Sequence, residues 1–242
     1  MKEISRHFFV EWYRRNGRDF PWRSQELDPF HHLITELLLR KTRAEGVAKL
    51  WLSLVHKYPN AHSVIQTPKK TLARQLRILG FGNQKAEALR LASKWLIEHH
   101  DGKVPDSFEE LMRIPHVGAY SAGAILCFGF NRRFEIVDVN VQRVLSRYYG
   151  LEVKADVRRN AMIKDIARKG LPRTSPRVEE HNYGLLDFAA SICKSTKPRC
   201  SSCPLARSCG WVRTNEVRTV RSLHKTIRAE GWPKSASPFA RA

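Results

Sequence analysis

Four of the five cysteines stand in one short stretch as Cys193, Cys200, Cys203 and Cys209, spaced C-x6-C-x2-C-x5-C. Thiols gathered this way in a chain with an odd cysteine count suit a metal group better than a disulfide framework. A zinc ribbon ordinarily presents two close pairs, whereas a [4Fe–4S] cluster takes four cysteines at unequal spacing. The cluster is therefore the expectation and zinc the alternative. Lys194, Lys197, Arg199 and Arg207 alternate with the thiols, so a loop tied down by metal would turn cations outward, which suits phosphate. Cys127, inside the apolar run Ala122 to Phe130, reads as a small core residue.

Two further segments could carry chemistry. Ile114-Pro115-His116-Val117-Gly118 reads as a tight turn between helices, with Pro115 stopping the first and Gly118 freeing the chain to start the second. Unpaired amides at a helix start bind phosphate without reading base sequence; an ordinary helix corner is the alternative. Downstream, the apolar run through Val137 delivers Asp138 to the start of a helix. A helix-capping role there is worth ~1 kcal/mol, and a catalytic role can coexist with it.

The elements positioning these groups read as helices. Leu33, Leu37, Leu38, Val47, Leu50, Leu54 and Val55 recur at three- and four-residue steps between Phe30 and Tyr58, and the period continues over Ala73 to Leu79 and Ala86 to Ile97. Pro59, Pro68, Gly80-Phe81-Gly82, Gly102 and Pro105 separate the runs. The expectation is an all-α protein of about ten helices. With 242 residues, one large domain or two lobes are possible, and two are preferred. Lys and Arg number 43 against 23 Asp and Glu, a net charge of +20, which points to a polyanionic partner, nucleic acid first. No apolar stretch reaches the ~18 residues of a membrane span, and Met1 to Gly17 lacks the apolar core of a secretory signal. A cytoplasmic protein is expected, nucleoid-associated if prokaryotic, with a loosely ordered basic tail over 212–242.

Together, Ile114 to Gly118, the aspartate in Val137-Asp138-Val-Asn-Val-Gln-Arg143-Val, and the four-cysteine loop resemble the helix-hairpin-helix DNA glycosylases of the endonuclease III superfamily, from about Phe8 to Trp211. The resemblance implies a two-lobed fold: a six-helix-barrel lobe over 24–134 carrying the hairpin, and a cluster lobe built from 1–23 and 135–211. It implies double-stranded DNA bound across the cleft with its target base flipped out, a monomer, and a catalytic Asp138. It also implies that His116, Val117 and Gly118 grip phosphate, although the hairpin usually has glycine where His116 stands. His tolerates a left-handed backbone better than most residues with a β-carbon.

Family members that also cut the strand place a nucleophilic lysine where this chain has Tyr120. A phenol forms no Schiff base, so water is the expected nucleophile and an abasic site the product. Tyr120 together with Leu38-Leu39-Arg40-Lys41-Thr42 resembles the mismatch-specific thymine/uracil glycosylases that act opposite G. Adenine glycosylases, acting on A opposite G or oxidised G, are the alternative: Asp19-Phe-Pro21-Trp22 and Thr35-Glu36-Leu37 resemble that branch, whose glutamate protonates the leaving purine. Glu36 could otherwise be a surface acid or an ion-pair partner of Arg40. Leu79 to Lys85 matches the family's wedge loop, so Phe81, Gly82 and Asn83 are expected at DNA, with Arg40 or Lys41 probing the orphaned base; a helix-end core plug is the alternative for Phe81. A non-catalytic iron–sulfur DNA-binding protein is the reading from another class, disfavoured because a carboxylate aimed at DNA repels phosphate.

Overall fold

The computed structural model describes residues 3–23, 27–151, 160–174 and 177–214. Of the basic tail read from sequence, residues 215–242 lie outside the described residues. The described chain contains eleven α-helices and no strand. They are α1 (Phe8–Asn16), α2 (Pro29–Leu39), α3 (Ala44–Lys57), α4 (Ala61–Gln66), α5 (Lys69–Leu76), α6 (Gly82–His100), α7 (Phe108–Arg113), α8 (Ala119–Ala124), α9 (Val139–Tyr149), α10 (Ala161–Gly170) and α11 (Arg177–Ser191).

Apolar residues of α2 to α8 pack into one large cluster around Leu38, Trp51, Leu72 and Leu96. A second gathers Phe9 of α1 with Val141, Ile163 and Phe188 of α9, α10 and α11. Helix α1 thus returns to pack with the last helices. A third, smaller cluster of Ala124, Cys127, Ile136, Leu171 and Val178 draws on the end of α8 and segments on either side of α9. Cys127 is fully buried, in keeping with a core role.

Helix α2 is the pivot. Asp28 caps its start by accepting from the Phe30 amide at 2.7 Å, and Pro29 occupies the first turn, where its missing N–H costs nothing. Its sequence is apolar nearly all round, and it is buried accordingly. The periodic stretch from Phe30 to Tyr58 is not one run: it breaks at Arg40, which is extended, and Lys41, whose φ of 55° is left-handed. Apolar spacing survives such a break because α3 resumes against the same core. The apolar run after Tyr120 also divides, α8 passing into a π-helical turn over Ile125–Gly129.

Candidate active site

Asp138 sits at the N-cap of α9. Its Oδ1 accepts from the Asn140 and Val141 amides at 2.9 and 2.7 Å, and its Oδ2 accepts from Asn140 Nδ2 at 2.6 Å. The capping expectation therefore holds, and the cap fixes the carboxylate's orientation. Asn140 is held in turn: its Oδ1 accepts from Arg143 Nη1 at 2.8 Å, while Arg143 Nε donates to the Cys193 carbonyl at 2.9 Å. An unbroken line of hydrogen bonds thus runs from Asp138 to the first cysteine of the loop.

Asp138 faces a cavity of about 310 Å³ whose lining also includes Glu36, Tyr120, His32, Arg23 and Asn140. Glu36 lies on the buried side of α2, not on the surface, and Arg40 donates elsewhere, to the His116 carbonyl at 3.1 Å. Burial pushes the Glu36 carboxyl up to about 8; a hydrogen bond from Ser121 works against this and the charge of Asp138 adds to it. At neutral pH Glu36 therefore keeps its proton. Tyr120 keeps part of its surface in solvent while its hydroxyl is enclosed, and burial, then the charges of Glu36 and Asp138, raise its pKa well above normal. It stands as a neutral phenol. His32 is likewise kept neutral, lowered to about 4 by burial. A second cavity, of about 660 Å³, shares Tyr120 and Asp138 with the first and adds Gly118, Ala119, Val139 and Lys164, so the pair borders both the deep cavity and the hairpin.

One part of the cavity was not foreseen from sequence. Asp187 of α11 is completely buried and accepts from Arg18 Nε at 2.8 Å and from both terminal nitrogens of Arg23, at 2.8 and 2.9 Å. Burial pulls the Asp187 pKa up, but the hydrogen bonds and charges of Arg23 and Arg18 outweigh it and leave it lowered. Arg23 stacks over the Tyr183 ring at 4.3 Å, and its buried Nε has no hydrogen-bond partner among the described residues. The signal lay in a lone aspartate within the apolar run of α11, since such a carboxylate needs a cation brought from elsewhere.

In the hairpin, α7 ends at Ile114, extended before Pro115, and His116 adopts a left-handed φ of 67°. The turn survives with histidine, as expected. Gly118 caps α8 with open space around its Cα, leaving room for an approaching group. Phe81 is also left-handed and 55% exposed, so it is no core plug; Lys41 Nζ lies 5.9 Å above its ring. Gly82 is required by space, because a Cβ there would stand 2.6 Å from the Ala73 carbonyl. Asn83 is exposed beside it, whereas Val117 points into the core and can offer DNA only its backbone.

Burial raises the thiols of Cys200 and Cys203; the charges of Cys193 and Cys209 add to it, and at Cys203 a backbone hydrogen bond from Leu205 works against it. Arg147 Nη1 lies 3.7 Å from the Cys193 sulfur, and the Cys209 thiol donates to the Arg147 carbonyl at 3.5 Å. As they lie, no three His, Cys, Asp or Glu among the described residues are grouped to hold a metal ion. No helix among the described residues is long and apolar enough to cross a membrane.

A helical fold with a hairpin and a capped aspartate meeting at one cavity defines a helix-hairpin-helix protein of the nucleic-acid-processing class. The chain belongs to the HhH-GPD superfamily of base excision DNA repair proteins, whose family model matches residues 34–169. It is 32% identical to a thymine/uracil-DNA glycosylase of Methanothermobacter thermautotrophicus, over 84% of this chain and 90% of that one. It is 30% identical to an adenine DNA glycosylase of Mycobacterium tuberculosis, over 87% of this chain and 68% of the other. Among solved structures it resembles a thermostable thymine-DNA glycosylase, with a TM-score of 0.80 and 32% identity over 85% of this chain and 94% of that chain. It also resembles endonuclease III in a non-covalent DNA complex, with a TM-score of 0.73 and 25% identity over 88% and 96% of the two chains.

Proposed function

We propose that the chain is a monofunctional DNA glycosylase that hydrolyses the N-glycosidic bond of thymine or uracil opposite guanine. The observation that carries this reading is the grouping of an oriented Asp138, a protonated Glu36 and a neutral Tyr120 around one cavity. As the glycosidic bond breaks, positive charge develops on the sugar. The Asp138 carboxylate, with its geometry fixed by three hydrogen bonds, stabilises that charge and takes a proton from the attacking water. Glu36 donates its proton or a hydrogen bond to a carbonyl of the leaving base. Tyr120 closes the position from which an amine would attack the sugar, so the product is free base and an abasic site.

In this reading the barrel lobe over 24–134 carries the hairpin, and 1–23 with 135–211 form the cluster lobe. Gly118 and the backbone at His116 and Val117 hold a phosphate. Phe81, Gly82 and Asn83 enter the duplex as the target base flips out, which needs something to occupy its place, and Arg40 and Lys41 face the orphaned base. The protein acts as a monomer on double-stranded DNA, in the cytoplasm or at the nucleoid. Cys193, Cys200, Cys203 and Cys209 would hold a [4Fe–4S] cluster; their sequence spacing supports this, and the group would supply a rigid scaffold for the cationic loop.

Duplexes containing G:T, G:U, A:G and A:8-oxoG, scored for abasic-site formation, test the reading. Excision from G:T and G:U is expected. Excision confined to A:G and A:8-oxoG would transfer the chain to the adenine branch, and binding without excision of any base would make it a non-catalytic DNA-binding protein.

A further inference from the structure

Lys85, in the first turn of α6, is a buried cation that the chemistry above does not use; it is only 4% exposed. Its Nζ donates to the Leu38 carbonyl at 2.6 Å and the Arg40 carbonyl at 2.9 Å. These are the carbonyls orphaned where α2 ends, and a cation at that position suits both their lone pairs and the negative end of the helix. A methionine would fill the same volume without the desolvation cost of an ammonium. Burial, helped by the charge of Arg40, lowers the Lys85 pKa to about 8. What lysine adds is therefore its donors, and they act on the segment that turns out into solvent at Lys41.

That segment is laced to two others. Arg40 Nη1 donates to the His116 carbonyl, and Thr42 Oγ1 donates to the Leu79 carbonyl at 3.4 Å. The Lys85 amide itself donates to the Phe81 carbonyl at 2.9 Å. One residue thus ties the 40–42 turn to the base of the 78–82 loop, and Arg40 carries the tie on to the hairpin. The laced loops present Phe81, 55% exposed, and Ile78, 78% exposed, beside the cations Arg40 and Lys41. Apolar side chains standing in solvent among cations suit a partner offering both stacked rings and phosphates.

We infer that Lys85 is a positioning residue for duplex recognition, setting the Phe81 and Arg40–Lys41 loops in register against the base opposite the excised one. The inference rests on the glycosylase reading. Its test uses Lys85→Met and, as a milder variant retaining a donor, Lys85→Gln. Two quantities are measured: single-turnover release of uracil from G:U and A:U duplexes, and the fluorescence of 2-aminopurine placed opposite a tetrahydrofuran abasic analogue, which reports insertion without catalysis.

Lys85→Met should slow release from G:U by roughly 10- to 100-fold, in line with the cost of about 1 Å of misplacement. The preference for G:U over A:U should fall toward one, the fluorescence response should be lost, and Lys85→Gln should lie between. If both duplexes slow in parallel with the fluorescence response intact, Lys85 is only a structural residue and the inference fails; it fails equally if neither quantity moves. A wild-type protein that releases no uracil, yet gives a fluorescence response that Lys85→Met abolishes, would overturn the glycosylase reading and leave the positioning role standing.

Discussion

The cap that helix α9 requires also holds the Asp138 carboxylate at the edge of the cavity, where the proposed chemistry needs it. Asp138→Asn keeps the shape and an acceptor oxygen, so duplex binding should persist. Base release should fall by at least about 100-fold, the scale seen when one electrostatic contact to a developing charge is removed; single-turnover kinetics beside a gel-shift titration check this. Glu36 makes a pH prediction. Its pKa is raised to about 8, so its proton is present at neutral pH and lost as pH rises through that value. Base release should decline on that alkaline limb, and Glu36→Gln should abolish the limb. Stability follows the same sign: the protonated group's contribution is complete below the ordinary carboxyl pKa and lost as pH rises through about 8. The Gln variant should accordingly lose less stability than wild type between neutral pH and pH ~9.

At the scale of elements, the cavity depends on segments far apart in sequence meeting across α2. The Asp187–Arg23–Arg18 group fastens the chain before α2 to α11, and Asp187 has no exposed surface. Removing its charge leaves Arg23 buried without compensation. Asp187→Asn should therefore cost about 3–5 kcal/mol, read from denaturant unfolding, whereas Arg14→Ala, which breaks the more exposed Arg14–Glu180 pair, should leave the unfolding midpoint nearly unchanged.

Sequence alone exposed those elements whose signals are local. The hairpin was readable because Pro115 and Gly118 punctuate it, and the start of α9 because an apolar run ends in a capping residue. The break after Leu39 was hidden, since Lys41 takes a left-handed conformation with no glycine to mark it and Lys85 stabilises the turn from the far side of the chain. The role of Asp187 was hidden for the same reason, its partners lying 164 and 169 residues away. Glu36 was ambiguous until the fold fixed which side of α2 it occupies.

At the scale of the whole molecule, a net charge of +20 coexists with a packed interior: among the described residues the Arg23 side chain is buried against the Asp187 carboxylate, and Lys85 against the Leu38 and Arg40 carbonyls. The four-cysteine loop is joined to the cavity that Asp138 faces through Arg143, whose Nε and Nη2 donate to the Cys193 and Ala189 carbonyls. Purified protein should be brown and contain about four irons per chain; stoichiometric zinc without iron in anaerobically prepared protein would contradict this. Cys200→Ser should loosen the loop before it alters the chemistry, since metal binding and local folding are coupled, and limited proteolysis between 193 and 209 reads that order.

The central claim is water-mediated excision of a pyrimidine opposite guanine at a site where Tyr120 replaces any attacking amine. The most direct test is a time course on end-labelled G:U and G:T duplexes, each aliquot divided among neutral quenching, alkali and borohydride. The account predicts strand breaks only in the alkali-treated samples, growing with time, and no covalent protein–DNA adduct with borohydride. Efficient borohydride trapping, or breaks accumulating under neutral quenching, would show that an amine of the protein attacks the sugar and would contradict it.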